Sequence, residues 1–243
     1  MKKIFSLCLI LLPAVAFGNA GVHLEHVDID LKDKPSLQRG AKLFVNYCLS
    51  CHSASYARFN GIGKDLGIPD DVMKKNMLFV SDKVGSYMRV AMDKEDAKKW
   101  LGVAPPDLSV IARSRGSDWI YTFLNSFYLD PNKATGVNNT VFKDTAMPHI
   151  LWELQGWQRP VYSESQHGDE TTKEISGLKL VSPGKMSEED YQVATRDLTN
   201  FLTYLGEPAK LVRKKVGLWV ILFLLVLLVP AYLLKKEYWK DVK

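Results

Sequence analysis

Two apolar segments bracket the chain, and they differ in length and in what flanks them. Residues 4–17 are almost wholly apolar, follow Lys2 and Lys3, and lead into the small-residue sequence Gly18-Asn19-Ala20. This segment is too short to span a bilayer comfortably, so it predicts a cleaved signal peptide over residues 1–20. Residues 216–234 run for 19 residues without a charge. That length predicts one transmembrane helix.

Together the two segments predict the organisation of the protein. An exported domain covers residues 21–210, the transmembrane helix covers 216–234, and residues 235–243 form a short cytoplasmic tail. Basic residues flank the second segment on both sides in nearly equal number, so charge bias alone does not orient the helix. The signal peptide orients it, because it directs the preceding domain out of the cytoplasm.

The start of the domain shows helical periodicity. Leu37, Ala41 and Phe44 recur at the spacing of one helix face, and Pro35 suits a first helical turn. The pattern therefore predicts a helix immediately before residue 48.

The end of the domain carries a second helical signal. An apolar stripe over residues 191–202 follows the capping residue Ser187 and is terminated by Gly206. This predicts a last helix that packs on the rest of the domain. Between the two ends, residues 162–177 are rich in Ser, Thr, Glu and Gly, which predicts a solvated loop.

The net charge of the predicted domain differs in sign from that of the whole chain. The whole sequence has a formal net charge of +5, but residues 21–209 hold 22 basic and 25 acidic side chains, a balance of −3. A nucleic-acid-binding domain would need a basic face, so this function is excluded. The apolar fraction of 47% also excludes a wholly disordered chain.

The chemistry is concentrated at Cys48-Leu49-Ser50-Cys51-His52, a C-x-x-C-H sequence. With the signal peptide removed, Cys48 and Cys51 are the two remaining cysteines. C-x-x-C-H is the attachment signature of c-type haem. Each thiol bonds one vinyl group, and His52 is then held beneath the iron as the proximal ligand.

Other uses of a cysteine pair fit this sequence less well. A thioredoxin-like redox pair begins a helix after a strand, whereas here a helical pattern precedes Cys48. A structural zinc ion takes four ligands, and no histidine spacing near the cysteines supplies the others. A disulfide across two intervening residues would be strained.

A haem iron usually takes a sixth ligand, and methionine is frequent in electron-transfer cytochromes. Met147 lies in the loop-like sequence Ala146-Met147-Pro148, where a proline-braced loop can reach the iron. His149 is a competing ligand, and otherwise a surface histidine. The pairs Met73/Met77 and Met88/Met92 have i,i+4 spacing, which is more typical of core or helix-face residues.

The segment Pro105-Pro106-Asp107-Leu108-Ser109 predicts the start of a helix, because prolines fix a turn and either Asp107 or Ser109 can accept exposed amides. Arg113 and Arg115 follow it. Either can pair with a buried anion such as a haem propionate, or simply be solvated.

These motifs, taken in order, resemble the cytochrome c1 family, the haem c subunits of the ubiquinol–cytochrome c reductase (bc1) complex in proteobacteria. The resemblance covers essentially the whole chain after the signal peptide. It rests on the following features of the sequence: Arg39-Gly40, Cys48-x-x-Cys51-His52, Pro105-Pro106-Asp107-Leu108-Ser109, Arg113-x-Arg115, Ala146-Met147-Pro148 and Glu207-Pro208 before the anchor.

The resemblance implies a mainly α fold, with a cytochrome c-like haem domain, long loops and one C-terminal transmembrane helix. It implies one covalent haem c, with Cys48 and Cys51 as thioether residues, His52 as the proximal iron ligand and Met147 as the distal one. Relatives that carry a further cysteine pair form a disulfide, which this sequence lacks.

Four more residues are implied at the haem. Arg115 falls where the family has an arginine near a propionate, with Arg113 as the neighbouring candidate. Pro106 belongs to the family's haem-binding sequence motif. Trp119 stands where relatives often have an aromatic residue at the haem edge.

The implied function is outer-sphere electron transfer in the respiratory chain. The haem takes one electron from the Rieske iron–sulfur protein and passes it to a periplasmic cytochrome c, without breaking a substrate bond. The expected partners are cytochrome b, the Rieske protein, cytochrome c and the lipid bilayer, with the haem domain on the periplasmic side of the inner membrane. The acidic groups Asp169-Glu170 and 188–190 are candidates for the surface that meets a basic cytochrome c.

Two alternatives stay open on the sequence. One is another membrane-anchored c-type cytochrome, such as an electron shuttle or an oxidase subunit. The other is an anchored thiol–disulfide oxidoreductase that uses Cys48 and Cys51.

Overall fold

The fold is described from a computed structural model of the chain, which covers residues 23–167 and 170–241. The expected signal peptide, its cleavage before Gly21, and Asp169 lie outside these residues. The helices are α1 (Lys34–Leu43), α2 (Phe59–Leu66), α3 (Asp70–Asn76), α4 (Lys94–Leu101), α5 (Ile111–Arg115), α6 (Ser117–Asn125), α7 (Trp152–Gln155), α8 (Glu188–Gly206) and α9 (Lys210–Tyr238). The strands are β1 (Ala54–Arg58), β2 (Tyr87–Met88), β3 (Phe127–Leu129), β4 (Val137–Asn139), β5 (Gly156–His167) and β6 (Glu170–Pro183).

Helix α1 begins and ends as its local sequence dictates. The Asp33 side chain accepts the amide of Ser36 at 3.0 Å, and Pro35 occupies the first turn. After Leu43 the helix widens into a π-helical turn, Phe44–Cys48. The predicted helix before residue 48 is therefore confirmed, and the wider turn delivers Cys48 to the haem-attachment sequence.

Helices α1 and α8 cross in close contact at the centre of the core. Gly40 makes this approach possible, because a Cβ atom there would lie 2.1 Å from the Asp197 carbonyl oxygen. Beside this point the rings of Phe44 and Phe201 pack with centroids 5.6 Å apart. The helix that leads to the cysteines is thus packed against the last helix of the domain.

A buried carboxylate ties the same two helices together. Asp197 of α8 is 1% exposed, and it accepts hydrogen bonds from Ser36 Oγ at 2.7 Å and Arg39 Nε at 2.6 Å. Asn200 donates in turn to the Ser36 hydroxyl at 3.0 Å. Because buried polar groups are costly without partners, this network favours one register of α1 on α8.

The three sheets of the described residues are antiparallel pairs: β1 with β2, β3 with β4, and β5 with β6. The prediction of a loop over residues 162–177 was wrong, since residues 162–167 lie in β5 and residues 170–177 lie in β6. Two register shifts, at Trp157/Gln158 and at Val161/Tyr162, break the period-2 pattern that would have marked the strands. Tyr162 pairs with Ile175 across the hairpin.

The last two helices follow the sequence closely. Helix α8 begins after Ser187, whose hydroxyl accepts the Asp190 amide, and it ends at Gly206 as predicted. Helix α9 is 29 residues long and includes Pro230. None of its apolar span is buried, and it is long and apolar enough to cross a membrane. The predicted fold class, a mainly helical domain with long loops and one C-terminal apolar helix, is confirmed.

Candidate functional site

The cysteine pair lies where helix α1 ends. Cys48 closes the π-helical turn, and its carbonyl oxygen accepts the amides of Cys51 at 3.0 Å and His52 at 2.8 Å. Both cysteines are free thiols, with Cys48 buried and Cys51 half-buried. Burial, with a smaller contribution from Cys51, raises the pKa of Cys48 to about 12. A thiol held protonated in this way is the opposite of the low-pKa thiolate that disulfide exchange requires.

The imidazole of His52 is oriented by one hydrogen bond. Its Nδ1 lies 2.8 Å from the carbonyl oxygen of Pro106, so Nδ1 carries the proton and donates it. The other ring nitrogen, Nε2, keeps its lone pair for a metal ion. Burial lowers the pKa of His52, although the Pro106 carbonyl opposes this effect, and the ring stays neutral. A neutral, oriented imidazole is the form that ligates iron.

The segment that carries Pro106 is bound along the residues that follow His52. Leu108 donates its amide to the Ser53 carbonyl at 2.8 Å, and Tyr56 donates its amide to Ser109 Oγ at 3.1 Å. Asp107 accepts the Ser55 amide at 3.0 Å. These bonds hold the Pro106 carbonyl beside His52.

The interpretation of Pro105–Ser109 as a helix entrance was therefore wrong. Helix α5 begins only at Ile111, without a side-chain cap. Asp107 does accept the Ser109 amide at 2.8 Å, but its other oxygen binds Ser55, a residue 52 positions away. Burial acts to raise the pKa of Asp107, and the hydrogen bonds from Ser109 and Ser55 outweigh it and lower the pKa.

We expect Asp107→Ala to lower the free energy of unfolding by about 1–2 kcal/mol, because the part-buried bond from the Ser109 amide and the more exposed bond from the Ser55 amide both lose a charged acceptor. The Pro106–His52 hydrogen bond should loosen with it, and the haem potential should shift or become heterogeneous. Asp93→Ala is the matched control, since Asp93 also accepts two amides, those of Glu95 and Asp96, but at the start of α4. That variant should lose about 1 kcal/mol and keep its potential. Denaturant melts and redox titrations of the three proteins test this. Equal potentials in both variants would contradict it.

Met147 lies on a loop that polar side chains shape closely. Asn139 Oδ1 accepts the amides of Val141 at 2.9 Å and Phe142 at 3.1 Å, and Asn138 Oδ1 accepts the Asp144 amide at 2.8 Å. Asp144 adopts a left-handed backbone with φ of 63°. The half-buried Met147 side chain packs against the main core cluster, which also contains Cys48.

One of the two candidate arginines lies beside this loop. The Arg115 guanidinium is 5.1 Å from the centre of the Trp119 ring and 6.0 Å from that of Phe142. Arg113 instead runs along the end of α8, where its Cγ would lie 3.3 Å from a Cβ at Gly206. The structure thus groups Arg115, Trp119 and the Met147 loop, and it places Arg113 elsewhere.

His149 is buried, so the interpretation of it as a surface histidine was wrong. Its ring stacks on Phe127 with centroids 5.0 Å apart and packs edge-on to Trp157 at 5.9 Å. Its Nε2 atom and the Oε1 atom of Gln155 are buried without hydrogen-bond partners. Burial, partly opposed by Gly156 and Gln155, lowers the pKa of His149 to about 4.

This lowered pKa predicts a loss of stability in acid. The unfolded chain binds a proton at His149 near pH 6.5, and the folded chain binds it only near pH 4, so the free energy of unfolding falls as the pH falls through this window. The contribution is on the order of 3 kcal/mol. His149→Phe keeps a ring and removes the titration, so its stability should fall less between pH 6.5 and 4. Denaturant melts at matched pH values measure the difference, and parallel curves would refute the prediction.

Sequence reasoning missed three residues of this site. Asp107 was recognised as a capping residue but not as the acceptor for Ser55, while Phe142 and Asn139 carry no motif at all. Their roles depend on contacts between distant parts of the chain. The sequence of residues 138–142, Asn-Asn-Thr-Val-Phe, is only a weak indication of the loop that carries Met147.

The described residues fit a covalently bound haem. Two free thiols stand three positions apart, an oriented neutral imidazole follows the second thiol, and a thioether lies on a shaped loop at the same core. Thioether attachment requires free thiols, and Cys48 and Cys51 are free. Iron ligation requires an available lone pair, and His52 keeps one on Nε2 because Nδ1 is bound to Pro106. The fold and the site define a c-type cytochrome with a C-terminal membrane helix.

Comparisons with known proteins place it within that class. The model of the Cytochrome C1 family matches residues 28–242. The chain is 50% identical over 243 residues to cytochrome c1 of Allochromatium vinosum, covering 99% of both chains. It is 45% identical to a Nitrosomonas europaea protein named ammonia monooxygenase gamma subunit, covering 100% of this chain and 99% of the other. Cytochrome c1 of Rhodospirillum rubrum is 27% identical, with 95% and 92% covered.

The chain belongs to the cytochrome c1 family. It is accordingly a membrane-anchored c-type cytochrome that carries covalent haem c and takes part in bc1 electron transfer. It acts as a redox subunit of a reductase complex.

Proposed function

We propose that this subunit carries single electrons from the Rieske iron–sulfur protein to a periplasmic cytochrome c. The observation that carries the proposal is the hydrogen bond from His52 Nδ1 to Pro106, next to two free thiols. In this assignment Cys48 and Cys51 form the thioether links, and His52 Nε2 binds the iron. The haem supplies the one-electron chemistry, and the chain supplies ligands, burial and orientation.

Met147 is the proposed distal ligand. Its side chain is half-buried on a loop that borders the same core as Cys48. His149, the competing ligand, is instead engaged in ring contacts with Phe127 and Trp157. A thioether ligand also suits the function, because methionine raises the haem potential.

Arg115 is the proposed partner of a haem propionate. It lies over Trp119 and Phe142 at the edge of the Met147 loop, with its guanidinium exposed, and no salt bridge engages it in the described part of the chain. Arg113 is the weaker candidate, since its side chain packs toward Gly206. Trp119 then forms part of the haem edge, and Pro106 acts through the carbonyl that orients His52.

The net negative charge of the haem domain supports a proposal for the surface that meets cytochrome c. Residues 21–209 carry a balance of −3, so a basic cytochrome c would be steered toward this domain in a salt-sensitive encounter. Glu188, Glu189 and Asp190 are exposed together at the start of α8 and are the described candidates for that surface. The span 216–234 of helix α9 is proposed to lie in the inner membrane against cytochrome b, with the haem domain on the periplasmic side and residues 235–243 in the cytoplasm.

The test is a redox titration with visible spectra on the complex purified in mild detergent. A c-type absorption band with a clearly positive potential, together with copurifying b-type haem and a Rieske signal, would support the proposal. Another anchored c-type cytochrome would show the c band without these partners. A thiol–disulfide oxidoreductase would show no haem after denaturing electrophoresis and haem staining, because thioether-linked haem survives denaturation.

A further inference from the structure

Two side chains attach the Met147 loop to one row of aromatic rings. The row is formed by Trp119 and Phe123 of α6, stacked at 5.1 Å, and by Phe127 of β3, which packs edge-on to Phe123 at 5.0 Å. Phe142, five residues before Met147, packs edge-on to Trp119 at 6.4 Å. His149, two residues after Met147, stacks on Phe127 at 5.0 Å with the ring planes 11° apart.

The two attachments differ in strength. Phe142 is 47% exposed and makes one edge contact with the row, whereas His149 is 4% exposed. His149 is packed against rings from two strands, Phe127 in β3 and Trp157 in β5. Buried, well-aligned ring contacts are worth more than a half-exposed edge contact. The attachment at His149 is therefore the dominant one.

The position of His149 couples this attachment to Met147. Only Pro148 separates the two residues, and a proline ring fixes the backbone φ between them. On the amino-terminal side, the Met147 amide donates only a long hydrogen bond, 3.3 Å, to Thr145 Oγ1. On the carboxyl-terminal side, the location of the thioether therefore depends on what holds residue 149.

We infer that His149 is a positioning residue for Met147: its ring, stacked on Phe127 and packed edge-on to Trp157, holds the loop where the Met147 thioether can stay bound to the haem iron. The inference rests on the proposed role of Met147 as distal ligand. This role requires a flat ring at position 149 and does not require that the residue itself bind iron. Removing the ring lets the loop open without removing the ligand.

The test uses the full-length haem-loaded protein in detergent and imidazole as a competing iron ligand. His149→Leu fills most of the space but offers no ring to stack, and His149→Phe keeps the ring. His23→Ala is the control, since His23 is exposed and far from the loop in sequence. Met147→Ala sets the limit for a site with no distal ligand. Imidazole affinity is read from the visible spectrum, and the reduction potential is titrated on each sample.

We expect His149→Leu to bind imidazole about tenfold more tightly than the wild type, which corresponds to ~1.4 kcal/mol of lost loop attachment. Its potential should fall toward that of Met147→Ala. His149→Phe and His23→Ala should stay close to the wild type in both measurements. A merely structural role would lower the melting temperature of His149→Leu and leave imidazole affinity unchanged.

The outcomes separate the inference from the proposed function. If His149→Leu matches the wild type in imidazole affinity and potential, the positioning role is refuted while Met147 stays the ligand. If His149→Phe behaves like His149→Leu, a ring is not what holds the loop, and the inference is also refuted. If Met147→Ala itself matches the wild type, the distal-ligand assignment fails. Should His149→Leu not accumulate, His149→Ile, which also offers neither a ring nor an iron ligand, gives the same comparison with His149→Phe.

Discussion

Replacing Met147 by alanine should leave the haem covalently attached and lower its reduction potential by on the order of 0.1–0.3 V, within the ~0.8 V that axial ligands span. Attachment persists because Cys48, Cys51 and His52 lie in the π-helical turn after α1 and in the residues that follow it, on a different segment from the Met147 loop. The potential falls because the thioether stabilises reduced iron, and water or a stronger donor in its place does not.

A matched control for this experiment is Met92→Ala. Met92 is a partly exposed methionine between β2 and α4, so its loss should change neither the potential nor the spectrum. Redox titration and visible spectroscopy of the wild type, Met147→Ala and Met92→Ala measure whether the potential and spectrum depend on Met147 specifically. An unchanged potential in Met147→Ala would remove Met147 from the site. A strongly negative potential in the wild type would move the assignment to His149 or another histidine.

Replacing Gly40 by alanine should destabilise the haem domain by about 3 kcal/mol, the upper part of the range for overpacked cores. The new methyl group would lie 2.1 Å from the Asp197 carbonyl oxygen and 2.7 Å from the Phe201 Cβ atom. The first neighbour is backbone, so α1 and α8 must separate. Their separation would also strain the buried hydrogen bonds that Asp197 accepts from Ser36 and Arg39.

Gly61→Ala is the control for this substitution. Gly61 is exposed in α2, and a Cβ atom there would meet nothing within 4 Å. Because alanine favours the helix over glycine, this variant should be stabilised by about 0.5–1 kcal/mol. Chemical denaturation, followed by circular dichroism, measures both. A Gly40→Ala protein as stable as the wild type would show that the helices do not meet in the way described.

The parts of the fold that sequence reasoning predicted are those governed by local signals. Helix α8 begins at the Ser187 cap and ends at Gly206 because capping and termination depend on nearby residues. Helix α9 follows from its uninterrupted apolar composition. The C-x-x-C-H sequence carries its chemistry within five positions, so it was recognisable without any tertiary information.

The parts that it missed depend on distant contacts. The β5–β6 hairpin has a polar composition because much of both strands is solvated, and its register shifts remove the alternation that marks a strand. Asp107 was assigned to a local turn, while its more distant partner, Ser55, lies in β1. The alternative interpretation of His149 as a surface histidine was wrong because Phe127 and Trp157, which bury it, lie in other segments of the chain.

The short connection between α8 and α9 restricts the orientation of the haem domain relative to the membrane. Only residues 207–209 separate the two helices, and the side chain of Arg213 in α9 pairs with Glu207 across the junction. Helix α9 then continues for 29 residues, about 43 Å at 1.5 Å per residue, against a bilayer core of about 30 Å. A haem attached at Cys48 and Cys51, just after α1, is held through α1 to α8 and will therefore keep a preferred angle to the membrane normal. Its absorption in oriented membranes should depend on the polarisation of the light, whereas a flexible tether would average that dependence away.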